Sequence, residues 1–331
     1  MDHQRRVIRM GAAVIITAIL LRLIGGGLFD SFGELLKDTR VQSFLVYLQT
    51  GRIVRLPQPQ PQPQPQETLP PTQPATQPEE VLSFSAEELQ NLSVAYLCDY
   101  RPELESLLLQ PLRWDLTGDA PTVLIVHTHA TEAYTQTPGR EYEEDASYRT
   151  LEDRFNMVSI GEEVARVLEA GGITVLHDRS YHDYPSYNGS YGNARVAIEE
   201  YLRQYPSIQM VLDIHRDASD GADGSQLTTS AMVGGQQSAQ LMVVVGTDAA
   251  GNYHPNWQQN LALGLKLSAV LERENPGVTR PVSLRSSRFN MDLTAGSLLI
   301  EVGAAGNTHE EALLAANALA RGILTLAKGS S

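Results

Sequence analysis

Three short apolar runs of this chain end in side chains that bind metals or move protons. They are residues 123–126 before His127 and His129, residues 210–214 before His215, and residues 297–300 before Glu301. Runs this short are typical of strands buried in a mostly parallel sheet. In open α/β sheets, function gathers just beyond the carboxyl ends of the strands. The sequence therefore predicts a functional site at one sheet edge, where imidazole and carboxylate groups meet.

This combination of residue types is typical of a catalytic zinc site. Such a site uses three protein nitrogen or oxygen ligands, keeps a fourth position for water, and places a carboxylate nearby to move protons. Asp213 and Asp217 flank His215, and a carboxylate on the far ring nitrogen commonly fixes the tautomer of a ligand histidine. The residues alone leave open two histidines, His127 and His129, and two acidic ligands, Glu132 and Glu152.

A second group of histidines and aspartates follows the next predicted strand. It consists of His177, Asp178, His182 and Asp183. The group lies in a segment rich in Tyr, Ser and Asn, which favours a loop. We expect these side chains to contact substrate or to stabilise the loop rather than to bind metal.

The pattern from residue 121 onward alternates strands with helices. Strands are predicted at 123–126, 173–176, 208–214, 240–245 and 297–300, and helices at 156–170, 193–205, 256–275 and 310–328. This alternation implies right-handed crossovers and an α/β three-layer sandwich with a mostly parallel central sheet. Residues 81–118 are predicted to be a helical lead-in, with an amphipathic helix at 95–99.

The N-terminal part predicts a membrane anchor followed by a spacer. The apolar residues 7–29 follow Arg5 and Arg6, which favours a cytoplasmic N-terminus and export of the rest; a cleaved signal peptide is the alternative. Residues 57–66 alternate Pro and Gln, which favours an extended polyproline II spacer. The predicted parts are an anchor (1–30), a juxtamembrane helix (31–55), a Pro/Gln-rich linker (56–80), the lead-in (81–118) and a catalytic domain (119–331).

The charge of the chain argues against nucleic acid as a ligand. Of its 25 basic and 39 acidic residues, 8 and 4 lie in residues 1–55, which leaves a net charge of −18 on residues 56–331. A segment with this much negative charge repels a polyanion such as nucleic acid. The chain has one cysteine, which excludes an intramolecular disulfide framework.

Five blocks of the sequence resemble the stage II sporulation protein P family. They are residues 126–134, 177–195, 212–218, 245–247 and 298–303, and the resemblance covers about residues 120–325. That family belongs to the wider zinc-dependent N-acetylmuramoyl-L-alanine amidases. The resemblance implies a membrane-anchored peptidoglycan hydrolase that cuts the stem peptide from the glycan, with an added endopeptidase activity on crosslinks. It also implies action with stage II sporulation proteins D and M during engulfment.

The resemblance also implies roles for individual residues. Zn²⁺ would be bound by His129, Glu152 and His215. His127 is an alternate because the segment around the first histidine departs from the wider amidase pattern, and Glu132 is an alternate because several acids crowd residues 141–153. Glu301 would act as general base and then as general acid. Candidates for contacts with stem-peptide carboxylates or with the metal ligands are Arg216, Arg195 and Asn156. Two other functions stay open: a metal-free wall-binding scaffold and a zinc peptidase of another specificity.

Overall fold

The computed structural model describes residues 82–112, 114–218 and 225–328, which belong to one unit of the chain, Gln77–Ser331. The predicted anchor, juxtamembrane helix and linker lie outside the described residues. Within those ranges, no helix combines the length and the apolar character needed to cross a membrane.

A seven-stranded sheet is the centre of the fold, and a two-stranded hairpin accompanies it. In chain order the strands are β1 (Val94–Leu97), β2 (Val123–Val126), β3 (Val175–His177), β4 (Met210–Asp217), β5 (Ala231–Val233), β6 (Gln236–Ser238), β7 (Leu241–Gly246), β8 (Val282–Arg285) and β9 (Ser297–Ala304). The sheet order is β1-β8-β7-β9-β4-β2-β3, and β5 pairs with β6. All neighbouring pairs of the seven-stranded sheet are parallel except β7 and β9. The carboxyl ends of β2, β4 and β9 therefore meet at one edge, and those of β7 and β8 lie at the opposite edge.

Helices cover both faces of the sheet. They are α1 (Glu88–Asn91), α2 (Leu104–Leu109), α3 (Met157–Ala170), α4 (Ser190–Gln204), α5 (Trp257–Glu274) and α6 (His309–Lys328). Alternate side chains of β2 face opposite ways, because successive Cβ atoms of a strand alternate. Ile125 packs in one apolar cluster with residues of α3, α5 and α6, whereas Leu124 packs in another with Ile198 of α4. We refer to these as the α3 face and the α4 face.

The mixed α/β fold with a mostly parallel sheet is confirmed. The predicted helices and strands are present with shifts of a few residues at their ends. β4 and β9 continue to Asp217 and Ala304, so His215 and Glu301 lie within strands rather than beyond them.

The amphipathic helix predicted at 95–99 is wrong. Val94–Leu97 forms β1, which pairs in parallel with β8 at the edge of the sheet. A short apolar run does not distinguish helix from strand by its periodicity, and pairing with β8 supplies the backbone hydrogen bonds that decide the outcome. Residues 81–118 therefore contribute a strand to the sheet as well as the short helices α1 and α2.

A buried lysine ties this N-terminal segment to α5. Lys266 is 2% exposed, and its ammonium donates a hydrogen bond to the carbonyl of Leu108 at the end of α2. The same ammonium lies 4.7 Å from the centre of the Phe84 ring. Burial lowers the pKa of Lys266 to about 8. A buried charge needs such partners, so the segment 82–109 is part of what stabilises α5.

Candidate active site

The two histidines that follow β2 lie on opposite faces of the sheet. His127 continues the alternation of the strand onto the α3 face, where its Nδ1 lies 3.0 Å from the carbonyl oxygen of Ile214. Its Nε2 lies 2.8 Å from Nε2 of His177. Gly161 of α3 leaves room for both rings, because a Cβ there would lie 2.5 Å from His127 Nε2. Burial lowers the pKa of His127 to about 4 and that of His177 to about 3, so the pair is neutral at pH 7.

His129 lies on the α4 face beside His215. The two ring centres are 5.2 Å apart, and the rings are nearly perpendicular. Tyr187 stacks on His129 at 4.5 Å, and Tyr191 contacts the same ring edge-on at 5.5 Å. The structure therefore brings His129 and His215 together, and the rings of two tyrosines pack against them.

Two carboxylates lie on either side of the His215 ring. Glu132 Oε2 lies 3.6 Å from Nδ1, and Asp213 Oδ1 lies 2.9 Å from Nε2. Asp213 is held in place by Thr128, whose backbone N–H and hydroxyl donate to it at 2.8 and 2.6 Å. Although burial lowers the pKa of His215, Asp213 and Glu132 together raise it well above its usual range. Asp217 instead pairs with an arginine before β8 at 2.6 Å, so Asp213 is the carboxylate placed to orient the ring.

Glu132 is a buried and ionised carboxylate. It accepts hydrogen bonds from the backbone N–H of Arg216 at 3.2 Å and from Nη2 of Arg149 at 3.3 Å. Burial alone would raise its pKa, but His215 and Arg216 lower it to about 2. Glu132 is therefore negatively charged at neutral pH and faces both histidines of the cluster.

Glu301 joins the cluster from the neighbouring strand. It is the register partner of His215 across the β4–β9 pair, so both side chains lie on the α4 face. Burial raises the pKa of Glu301 to about 7, Glu132 adds to this rise, and His215 opposes it. A carboxyl group that exchanges its proton near pH 7 suits general acid–base chemistry.

Several buried polar atoms of this cluster have no hydrogen-bond partner in the described part of the chain. They include His129 Nδ1, His215 Nε2 and Glu301 Oε2; His215 Nε2 is close to Asp213 but not aligned for a hydrogen bond. The imidazoles of His129 and His215 and the carboxylate of Glu132 are ligand types that Zn²⁺ accepts, so these residues fit zinc in their chemistry. Across residues 82–112, 114–218 and 225–328, no group of three His, Cys, Asp or Glu side chains is already arranged to hold a metal ion.

The structure places Glu152 and Asn156 outside the cluster. The Glu152 side chain is 33% exposed and binds Arg154 at 2.8 Å and the backbone N–H of Glu143 at 2.9 Å. Asn156 caps α3 by accepting from the N–H of Val158 at 3.0 Å. The contacts of both side chains therefore lie at the start of α3 and in the segment that leads into it.

The arginines predicted to contact substrate are engaged within the protein. Arg216 is buried and donates to the carbonyls of Ala133 and Tyr148, which fixes the loop between them. Arg195 of α4 binds Asp292 with two hydrogen bonds, at 3.0 and 2.9 Å, and lines a cavity. His182 pairs with Asp178 at 2.9 Å, which fits the structural role expected for that group.

Arg149 is a site residue that the sequence analysis missed. Its guanidinium binds Glu132 and also Asp183, at 3.0 Å, and lies 4.9 Å from the centre of the Tyr187 ring. It therefore links the acidic residue of the cluster to the tyrosine that covers His129. No motif surrounds Arg149, and its position among many acidic residues is typical of a solvated loop.

The fold and site can be compared with known proteins. A family model described as stage II sporulation protein P matches residues 55–324. The chain is 29% identical over 215 residues to stage II sporulation protein P of Bacillus subtilis (strain 168). That alignment covers 62% of this chain and 50% of the relative, so the chain spans about half of the relative's length.

Solved structures with lower similarity were also found. The N-acetylmuramoyl-L-alanine amidase AmiC2 of Nostoc punctiforme is 16% identical with a TM-score of 0.38, covering 63% of this chain and 98% of that one. The CwlD amidase from Clostridioides difficile, solved with the GerS lipoprotein, is 14% identical with a TM-score of 0.39, covering 62% and 98%. The family match extends over most of the sequence, and the chain therefore belongs to the stage II sporulation protein P family.

Proposed function

We propose that this protein is a zinc-dependent peptidoglycan hydrolase, an N-acetylmuramoyl-L-alanine amidase with an added endopeptidase activity on crosslinks. Its family supports a role in sporulation. The observation that carries the proposed chemistry is the meeting of His129, His215 and Glu301 on one face of the sheet, where His129 Nδ1 and Glu301 Oε2 are buried without a hydrogen-bond partner among the described residues.

His129, His215 and Glu132 would hold the metal. We assign the role of acidic zinc ligand to Glu132 rather than to Glu152, because Glu132 is buried beside His215 whereas Glu152 is bound to Arg154 at the surface. Bound zinc would polarise the scissile carbonyl and lower the pKa of a water toward ~7. His129 and Glu132 lie in the loop after β2, and His215 lies in β4, so the sheet fixes the positions of all three.

The protein's own groups would supply the proton transfers. Glu301, with its pKa raised to about 7, would accept a proton from the attacking water and return it to the leaving nitrogen. Asp213 would keep the His215 ring oriented through its Nε2 side, since Thr128 holds that carboxylate rigidly. Tyr187 and Tyr191 would shield the imidazoles from bulk water.

His215→Ala is expected to lose most of the zinc that the wild-type protein carries, because one of three ligands is removed. Elemental analysis after purification with excess zinc measures the change, and circular dichroism checks the fold. His182→Ala is the matched control, since its imidazole is also buried but pairs with Asp178 outside the cluster. Wild-type protein without zinc after this treatment would contradict the proposal.

A pair of glutamate variants identifies the acidic ligand. Glu132→Gln is expected to weaken zinc binding by about 10-fold or more, because it replaces a charged ligand with a neutral one. Glu152→Gln is expected to leave the affinity unchanged, since that side chain pairs with Arg154. Competition with a zinc chelator measures both affinities, and the reverse ranking would return the ligand role to Glu152.

A metal-free wall-binding scaffold is the second candidate function. It is favoured by one observation, the lack of a ready three-ligand arrangement in the described residues. The zinc analysis separates the two, because a metal-free scaffold would carry no zinc after purification with excess zinc.

The proposal includes the placement of the protein in the cell. We infer from Arg5, Arg6 and the apolar residues 7–29 a single-pass anchor with a cytoplasmic N-terminus and an extracytoplasmic catalytic part. Stage II sporulation proteins D and M are the proposed partners, on the basis of the family resemblance.

Deleting residues 56–80 is expected to leave activity on isolated peptidoglycan unchanged but to impair wall cleavage in the cell. In this proposal the Pro/Gln run sets how far the catalytic part extends from the membrane. The net charge of −18 beyond residue 55 provides no attraction to anionic lipid that could replace the anchor. A Gly/Ser segment of equal length should restore only part of the cellular activity, because flexible chains span less on average. Full activity of the deletion strain would show that reach does not matter.

A further inference from the structure

A cavity of about 300 Å³ opens beside the candidate active site. Its walls come from the first turns of α4, the loop after β8 and Asn252. Tyr191 belongs to both places, because its ring centre lies 5.7 Å from that of Phe289 in the cavity and 5.5 Å from that of His129. Phe289 packs against the apolar cluster that contains Leu299, which lies two residues before Glu301 on the same face of β9. The cavity is therefore a continuation of the site along the α4 face.

Both charged residues that line this cavity are arginines. Arg195 and Arg288 both line it, and both pair with one carboxylate, Asp292. Asp292 accepts two short hydrogen bonds from Arg195 and lies 3.5 Å from Arg288. Glu199, the other acidic partner of Arg195, is 51% exposed and binds its Nε at 2.8 Å. Arg288 therefore keeps guanidinium N–H groups available for an added anion.

The loop that carries Arg288 is held firmly against the sheet. Gly246 ends β7, and a Cβ at that position would lie 2.3 Å from the carbonyl oxygen of Ser287 and 2.7 Å from that of Arg288. Asn290 donates a hydrogen bond to the carbonyl of Tyr191 at 2.8 Å, which ties the loop to α4. Residues 245–247 are one of the blocks that resemble the family, although they lie at the opposite end of the sheet from the cluster. The glycine of this block, Gly246, has no side chain and therefore leaves room for the loop that carries Arg288.

We propose that Arg288, with Arg195 beside it as a second positive charge, binds a free carboxylate of the stem peptide while the scissile bond lies at His129 and His215. This inference rests on the proposed function for the choice of a peptide ligand. A planar guanidinium binds a carboxylate with two parallel hydrogen bonds, and a second cation beside it strengthens the interaction. A larger cavity of about 570 Å³, next to Trp114 and Gly296, lies at the amino ends of β4 and β9, and its described lining carries no charged residue.

The test compares two peptides on the full chain: a stem tripeptide with free carboxylates and the same peptide with carboxamides. Calorimetry in the presence of chelator measures binding without hydrolysis. Wild-type protein is expected to bind the free-carboxylate peptide about 10-fold more tightly, and Arg288→Gln to abolish this preference while leaving the carboxamide peptide unaffected. Arg288→Lys should keep part of the preference, because it keeps the charge.

Arg203→Gln is the matched control, because Arg203 lies on the exposed side of α4 and pairs only with Glu200 among the described residues. Equal binding of the two peptides by wild-type protein would overturn the inference, as would an equal loss in Arg203→Gln and Arg288→Gln. If peptidoglycan is cleaved but the carboxylates do not matter, this inference fails alone. If binding depends on Arg288 but no cleavage occurs, the proposed function fails alone.

Discussion

Glu301→Gln is expected to lower peptidoglycan hydrolysis by at least ~10²-fold, the usual effect of losing a general base. The amide has nearly the same shape as the carboxyl group but does not accept the proton of the attacking water. Zinc content and sedimentation with purified cell wall should stay at the wild-type level, because Glu301 is not among the proposed ligands. Release of soluble fragments from purified peptidoglycan measures the rate.

Glu169→Gln is the control for this variant, since Glu169 lies at the exposed end of α3. Hydrolysis retained by Glu301→Gln would move the proton role to another acidic residue. Loss of zinc by the same variant would instead make Glu301 a ligand.

The same substitution is expected to stabilise the metal-free protein at alkaline pH. The folded-state pKa of Glu301 is raised from 4.5 to about 7 by burial, so its carboxylate is disfavoured in the folded protein. The contribution of Glu301 to stability is fully present below about pH 4.5 and is lost as the pH rises through about 7. Glutamine stays neutral at every pH and avoids this loss.

The difference in free energy of unfolding between Glu301→Gln and wild type should therefore grow by up to about 3 kcal/mol between pH 4.5 and 8. Urea unfolding in the presence of chelator at the two pH values measures it. Glu169→Gln should show no such change. A difference that is the same at both pH values would show that the carboxylate is compensated in the folded protein.

The sequence predicted best how the strands place the candidate residues. The apolar runs before His127, His215 and Glu301 are β2, β4 and β9, and these strands are neighbours in the sheet. What the sequence could not decide is how the chain turns after Val126. Alternation along a strand would put His127 and His129 on one face, but β2 ends at Val126 and the two rings lie on opposite faces.

The choice between Glu132 and Glu152 shows a second limit of sequence reasoning. The resemblance implies Glu152 as a ligand through its spacing from Asn156, and spacing does not report burial. In the structure, Glu132 is 5% exposed and lies against His215. Arg149 illustrates the same limit, since its contacts to Glu132 and Asp183 join residues that are far apart in the sequence.

The place of β1 in the sheet determines how this chain can be cut into fragments for study. A fragment that starts at residue 119 would lack Val94–Leu97 and leave one hydrogen-bonding edge of β8 open, a template for pairing with other molecules. It would also remove Phe84 and the carbonyl of Leu108, the partners of the buried Lys266 ammonium. Aggregation of such a fragment would result from the missing segment and would not be a property of the intact protein. Expression boundaries should therefore lie before residue 82.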